Sequence, residues 1–291
     1  MTLTIPALRV RNVRRRRRHP LGVCLAVAFL LVVALAGLLA PLLAPHPPDA
    51  TSLSDSLLPP GSRDHWLGTD ATGRDVLSRL MYGARLSLLA PLGVVLLSGL
   101  LGTTIGLIAA RAGGWADAVL SRGMDIVFAF PSLLLAMLVV AVSGPGLAAP
   151  ICALAVSYTP FVGRVVRSVA IQEGARPYME SYRVMGFGEV WVTVRHLLPN
   201  VLPVLIAQSA LSFGYALVDL ASLSYLGLGV RPPDADWGSM ISQARSDLLQ
   251  GAPWSALIPG VAVLLTVVSV NVLGEHLGGS VGRTRREGDH A

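Results

Sequence analysis

The residues best placed to do chemistry in this chain lie in one polar segment, residues 173–200, between two long apolar runs. The segment carries three Glu, three Arg, two Pro and three Gly. Among these, Glu180 can form charge-assisted hydrogen bonds with another protein. It can equally form ion pairs within its own helix, because Arg176 lies one turn before it and Arg183 almost one turn after it. Both interpretations require a helix that holds Glu180 in a fixed position.

The pattern of residues in the same segment predicts such a helix. Pro177 suits a first helical turn, and Gly186 and Gly188 end the helix, since Gly allows a sharp exit with φ > 0. The apolar side chains fall on one helical stripe: Tyr178, Tyr182 and Met185, with Met179 beside them. A short amphipathic helix of this kind can lie on a lipid surface or in a groove on a partner protein.

Catalytic chemistry finds little support in the sequence. All 23 basic residues are Arg, and without Lys the chain can form neither a P-loop nor a Schiff base. No Ser/His/Asp or paired-carboxylate arrangement stands out. Four histidines are too scattered along the chain to predict a metal site: His46, His65, His196 and His276. We therefore expect no catalytic residue and no metal ligand, and any ATP hydrolysis that drives this protein must occur on another polypeptide.

The composition is typical of a membrane protein. Hydrophobic residues make up 53% of the 291, and the mean hydropathy is +0.63. Only 14% of the residues are charged, well below the roughly 25% usual for soluble domains. A soluble fold would have too few charges to cover its apolar surface, whereas lipid removes that requirement.

Apolar runs of about 20 residues predict six transmembrane helices. They cover residues 21–43, 86–110, 124–142, 147–166, 201–223 and 256–277. The first run resembles a signal peptide near residue 35, but it continues past that point, so we expect an uncleaved span. The predicted organisation is a basic tail at 1–19, a first transmembrane helix at 20–44, an extracytoplasmic loop at 45–84, a five-helix core at 85–277 with the short helix at about 173–188, and a tail at 278–291.

The distribution of Arg predicts the orientation, because cytoplasmic segments carry an excess of basic residues. With both termini in the cytoplasm, 17 Arg lie inside and 6 outside. The same topology places residues 173–200 in the cytoplasm.

Local patterns predict several structural features. Gly99, Gly102 and Gly106 fall on nearly one helical face and favour close helix packing. Arg122 and Asp125, three residues apart, predict a local ion pair. The stretch GTDATGRD at residues 68–75 predicts Asp and Thr turns that cap a helix running to Tyr82.

Four segments together resemble one family. Glu180, Gly186 and the Leu198-Pro199 pair are similar to the E-A-A-x-x-x-G…L-P loop of ATP-binding-cassette importer permeases. Three further segments resemble its dipeptide, oligopeptide and nickel branch: HWLGTDATGRDVLSRLMYGARLSL, GGWADAVLSRGMDIVFAFPSLLLA and SYLGLGVRPPDADWGSMI. The resemblance covers most of residues 65–277. It implies an all-α integral membrane protein with six transmembrane helices, the MetI-like transmembrane domain.

The resemblance also implies how the chain works. The short helix would couple to a cytoplasmic ATPase through six residues: Arg176, Tyr178, Met179, Glu180, Tyr182 and Gly186. The implied partners are a homologous permease, two cytoplasmic ATPase subunits and an extracytoplasmic substrate-binding protein, in the cell membrane and without nucleic acid. ATP and Mg would bind to the partner subunits, leaving no cofactor in this chain. A short peptide is the expected substrate, with nickel or another small solute as the alternative within the family, and a self-contained channel or secondary transporter as the alternative outside it.

Two features leave questions open. Ser181 and Tyr182 stand where the family has Ala-Ala, and Phe187 replaces a small residue, so we expect these bulkier side chains to alter how the helix sits in the cleft of its ATPase. Asp219 is the one acid well inside a predicted span, where ionisable groups usually face a cavity or a partner. It either lines the translocation path, where it meets the amino terminus of a peptide, or makes a structural bond to a neighbouring helix.

Overall fold

The computed structural model describes residues 20–144, 146–230 and 233–288, and within these ranges the chain is helical and contains no β-strand. The predicted basic tail at 1–19 lies outside the described residues. The helices are α1 (Pro20–Leu38), α2 (Ala40–Leu43), α3 (Val76–Ala112), α4 (Gly114–Phe128), α5 (Ser132–Ser143), α6 (Ala148–Gly174), α7 (Pro177–Val184), α8 (Glu189–Val192), α9 (Leu198–Tyr225), α10 (Trp237–Gln243), α11 (Arg245–Leu249) and α12 (Trp254–Gly288), with a 3-10 turn at Leu53–Asp55 and a π-helical turn at Thr193–Leu197.

Five helical stretches are long and apolar enough to cross a membrane: Leu21–Leu38, Val76–Ala112, Ala148–Gly174, Glu189–Tyr225 and Trp254–Leu277. A sixth crossing requires α4 and α5 together, which meet at an angle of 80°. The third span predicted at 124–142 is therefore not one continuous helix. Pro131 breaks the helix, because it has no N–H to donate and disfavours helical geometry at the residue before it.

The limits of two predicted segments also differ from the structure. The loop predicted at 45–84 ends at Asp75, whose side chain caps α3 by accepting a hydrogen bond from the Ser78 N–H. α3 then runs unbroken to Ala112 rather than stopping near Tyr82. At the other end of the chain, α12 continues as helix to Gly288, so the predicted boundary at 277 is not a break in secondary structure.

Close packing of α3 against α6 forms the centre of the bundle. A Cβ atom added to Gly102 would lie 2.7 Å from Cβ of Val162, and one added to Gly106 would lie 2.6 Å from the carbonyl oxygen of Gly163. Gly99 has nothing within 4 Å of the equivalent position. The packing role predicted from sequence is thus confirmed for two of the three glycines.

We expect Gly106→Ala to lower the unfolding temperature of the protein in detergent. The added methyl group would meet backbone of α6, so the two helices must move apart, and overpacking of this kind typically costs about 1–3 kcal/mol. Gly99→Ala is the matched control on the same helix, and it should leave the unfolding temperature unchanged or raise it slightly through helix propensity. Equal unfolding temperatures for the two variants would contradict the α3–α6 contact.

Two ion pairs fasten α4 to α6. Arg167 holds Asp117 through both carboxylate oxygens, each at 2.5 Å, and Arg164 lies 2.8 Å from Asp125. The local Arg122–Asp125 pair predicted from sequence is therefore wrong, since Asp125 bonds across to the neighbouring helix instead. The two pairs keep α4 on α6 up to the break at Pro131.

The end of the bundle opposite α7 is closed by residues 45–75 and by α10 and α11. Trp237 is buried there and donates its ring N–H to the carbonyl oxygen of Leu80 at 3.1 Å.

Burial alone would raise the pKa of Asp70, but hydrogen bonds from Thr72 and Arg74 and the charge of Arg74 outweigh it and hold that pKa below its usual value. The predicted Asp and Thr turns before α3 are confirmed.

Candidate functional site

The short helix predicted in the polar segment is present as α7. Arg176 precedes it in an extended conformation, Pro177 occupies its first turn, and the chain leaves through Gly186 at φ 80°. This positive φ is the conformation that favours Gly at the exit of a helix. The local signals in the sequence therefore set both ends of α7.

The apolar side of α7 packs against its own chain. Met179 is 2% exposed and belongs to a core cluster with residues of α6, α8 and α9, including Val166, Val192 and Val201. Tyr178 and Tyr182 pack against the same cluster. Three of the six residues predicted to couple to a partner thus face the protein's own core.

A buried polar network fixes the start of α7 to two neighbouring helices. Glu173 at the end of α6 is 3% exposed and accepts hydrogen bonds from the Tyr178 hydroxyl at 2.6 Å and the Asn200 amide at 3.2 Å. Arg176 lies 3.2 Å from the other carboxylate oxygen of Glu173. Burial and the bond to Glu173 raise the pKa of Tyr178 to about 12, so the hydroxyl keeps its proton at neutral pH. No local pattern in the sequence indicated Glu173 and Asn200, because they are brought together only by the fold.

An aromatic cluster fixes the other end of α7. The ring of Tyr182 stacks on His196 with centroids 4.2 Å apart, and Phe187 stacks on Trp191 at 4.6 Å. Tyr182 also meets Phe187 and Trp191 edge to face. The two bulky residues that depart from the family pattern, Tyr182 and Phe187, therefore hold α7 against α8 and the π-helical turn. The aromatic cluster thus joins α7 to the π-helical turn that leads into α9.

The outer side of α7 is left exposed. Arg176 bonds to Glu173, and Arg183 lies 2.9 Å from Glu189, so neither forms the local ion pair that was one of the two interpretations of Glu180. Glu180 is exposed and has no ion-pair partner among the residues that the structure describes. Val184 is 83% exposed and Met185 is exposed beside it. This side offers one free carboxylate and an apolar patch to another protein.

Asp219 lies in a second region of interest, a cleft of about 470 Å3. Its carboxylate accepts hydrogen bonds from the Ser132 hydroxyl at 2.9 Å and the Tyr158 hydroxyl at 3.1 Å. Ser132 reaches Asp219 because the break between α4 and α5 turns the start of α5 toward α9. Four aromatic residues and two further serines complete the lining: Phe128, Phe130, Phe161, Tyr215, Ser157 and Ser212. The buried hydroxyls of Ser157 and Ser212 have no hydrogen-bond partner within the described part of the chain.

The structural interpretation of Asp219 is confirmed, and its role in a translocation path stays a prediction. The carboxylate bonds to two neighbouring helices, and it also lines an open space among aromatic rings. A carboxylate with hydroxyls and aromatic faces suits a ligand that carries an ammonium group.

The histidines are less scattered in space than in sequence. The rings of His46 and His65 have centroids 4.7 Å apart, and Nδ1 of His65 lies 2.9 Å from a carboxylate oxygen of Asp75. Their scatter along the chain, which gave no reason to predict a metal site, does not extend to this pair in space. His196 packs instead in the aromatic cluster beside α7.

Comparison with known protein families gives two matches along the chain. Residues 102–283 match the family described as binding-protein-dependent transport system inner membrane component. Residues 10–60 match the N-terminal transmembrane domain of oligopeptide transport permease C. The first match includes α7, the Asp219 cleft and most of the bundle.

Curated relatives match over nearly the whole chain. The dipeptide transport system permease protein DppC of Alkalihalophilus pseudofirmus is 38% identical over 92% of this chain and 86% of its own length. The glutathione transport system permease protein GsiD of Pectobacterium atrosepticum is 38% identical over 95% and 94%. Among solved structures, inward-facing MetNI methionine ABC transporter covers 67% of this chain and 94% of its own, with a TM-score of 0.51 and 21% identity. That likeness concerns the fold alone.

Proposed function

This chain belongs to the family of binding-protein-dependent transport system inner membrane components, and from that premise we propose that it forms a peptide pathway together with a second permease. Separate ATPase subunits drive the transport, and an extracytoplasmic binding protein delivers the substrate. The observation that carries the proposal is the position of α7, which is braced on its inner side and open on its outer side.

The contacts of α7 suit a mechanical link. Met179 and the Glu173–Tyr178–Asn200 network join it to α6 and α9, so a displacement of α7 moves the helices that line the Asp219 cleft. Glu180 and the apolar patch of Val184 and Met185 remain free to meet an ATPase. ATP binding closes the ATPases, displaces α7 and switches the bundle from inward-facing to outward-facing, and hydrolysis resets it.

The chemistry of the cleft supports a peptide as the substrate. The relatives at 38–39% identity are named as dipeptide, di/tripeptide and glutathione permeases. At the cleft, the carboxylate of Asp219 supplies a negative charge for a peptide's amino terminus. The aromatic rings supply apolar surface for side chains of varied shape.

The distribution of charge supports an orientation with both termini in the cytoplasm. That orientation places 17 of the 23 Arg on the cytoplasmic side. It requires α4 and α5 to act together as one broken crossing, and it places α7 in the cytoplasm, where ATPase subunits are. Because the chain has no Lys, ATP and Mg bind on those partners rather than here.

Copurification and ATP turnover test the proposal. Coexpressed with a second permease and ATPase subunits from the same organism, the tagged chain should copurify with both, and the reconstituted complex should hydrolyse ATP faster when binding protein loaded with a short peptide is added. We expect stimulation of several-fold by peptide and none by nickel salts. Transport that continues without ATP or without ATPase subunits would contradict the proposal and indicate a channel or secondary transporter.

A further inference from the structure

Three side chains that the proposed transport mechanism does not use converge at the end of the bundle opposite α7. His46 follows α2, His65 lies in the loop before α3, and Asp75 is the capping residue of α3. One ligand atom from each of these residues lies within 4.8 Å of the others. His65 is 8% exposed and Asp75 1% exposed, so the group is largely shielded from solvent.

Ser78 holds the group in place. Its hydroxyl donates to one carboxylate oxygen of Asp75 at 2.7 Å and accepts a hydrogen bond from the backbone N–H of His46 at 3.1 Å. The backbone N–H of Ser78 donates to the same Asp75 oxygen at 2.7 Å. The second Asp75 oxygen is thereby turned toward His65, 2.9 Å from Nδ1. Hydrogen bonds of this kind orient the ligands of metal ions in proteins.

Helix capping does not account for the whole group. Nδ1 of His46 is buried and has no hydrogen-bond partner in the described part of the chain. A buried polar atom without a partner costs free energy, and such atoms call for a missing ligand or ion. The ring carrying that atom stacks against His65, which places a second imidazole at the same point.

We infer that His46, His65 and Asp75 bind one Zn2+ ion. Two imidazole nitrogens and one carboxylate oxygen form a ligand set that suits zinc, with water in the fourth position. Mg2+ and Ca2+ prefer sites made of oxygen atoms and fit this group poorly. The ion satisfies the unpaired nitrogen of His46 and joins the chain after α2 to the first turn of α3. It acts as a brace for the loop at 46–75, independently of substrate binding at the Asp219 cleft.

Metal analysis of the full-length chain, purified with its copurifying subunits and stripped by a chelator, tests the inference. After addition of ZnSO4 and desalting, elemental analysis should find one more zinc per chain in wild type than in His46→Gln or His65→Gln. The matched control is His276→Gln, a histidine of α12 outside the group, which should bind zinc as wild type does. Zinc should also raise the unfolding temperature of wild type by a few degrees and leave that of His46→Gln unchanged.

Cobalt gives a readout that does not depend on the folding of a variant. Co2+ added to the stripped wild-type complex should produce the intense visible absorption of a four-coordinate ion, and Zn2+ should displace it. Only the weak spectrum of aqueous Co2+, or equal zinc content in wild type and His46→Gln, would overturn the inference. Neither result would bear on peptide transport, so the zinc site and the proposed function can fail separately.

Discussion

Replacing Glu180 by Ala is expected to lower ATP-driven peptide uptake by the reconstituted complex about tenfold to a hundredfold. The carboxylate is exposed on the outer side of α7, and it has no ion-pair partner in the part of this chain that the structure describes. If it accepts a charge-assisted hydrogen bond from an ATPase, its loss costs about 1.5–3 kcal/mol of the interaction that transmits movement. Uptake of a labelled peptide into proteoliposomes, together with the amount of copurified ATPase, measures the effect.

The control for Glu180 lies nine residues further along the same polar segment. Glu189 is also exposed, but it bonds to Arg183 at 2.9 Å within the chain. Exposed pairs of this kind contribute little, so Glu189→Gln should transport at close to the wild-type rate. Wild-type uptake by Glu180→Ala would refute the coupling role, and an equal loss in both variants would indicate a general effect of charge at this surface.

Local signals predicted the existence of α7, but not the direction in which its stripe faces. Pro177 and Gly186 act on the backbone at their own positions, so their effect can be recognised without knowing the fold. The stripe of Tyr178 and Tyr182 shows only that one side of the helix is apolar. The surface that covers it comes from α6, α8 and α9, which the sequence of the helix does not contain.

The membrane spans show the same difference between signals that act on the local backbone and contacts that depend on the fold. Hydropathy located the five helical stretches that are long and apolar enough to cross a membrane, because about 20 apolar residues are needed wherever the chain passes through lipid. The break in the third crossing is set by a different signal, Pro131, which hydropathy does not register. Asp125 pairs with Arg164 and not with Arg122, and no local signal predicts this pairing, since Arg164 lies on a different helix.

The pairing of His46 with His65 could not be found from sequence spacing. The two histidines are 19 positions apart in a loop, and loops bring residues together without a fixed period. The sequence did predict a cap before α3, and the capping residue Asp75 gives one fixed point for the loop. The hydrogen bond from the backbone N–H of His46 to the Ser78 hydroxyl gives the other fixed point. The same hydroxyl also bonds to Asp75, and nothing in the sequence shows that the two bonds share it.

Asp219→Asn should lower the uptake of peptides with a free amino terminus about tenfold or more. Asn retains an oxygen that can accept hydrogen bonds from Ser132 and Tyr158, so the bonds between helices persist while the negative charge is lost. An ammonium group in a cleft of low dielectric depends strongly on that charge. The measurement is the initial rate of uptake of a free dipeptide and of its N-acetylated form in the same proteoliposomes.

The acetylated peptide separates the two roles of Asp219, because it carries no ammonium group. If the carboxylate meets the amino terminus, the substitution should lower uptake of the free peptide much more than that of any acetylated peptide that wild type transports. If the carboxylate only joins helices, both should fall together, and Ser132→Ala should reproduce the loss by removing one of its bonds. Ser222→Ala is the control on α9, since its hydroxyl bonds to the Val218 carbonyl oxygen away from the cleft. Unchanged uptake of both peptides by Asp219→Asn would exclude Asp219 from the pathway and leave the cleft without a charge for the substrate.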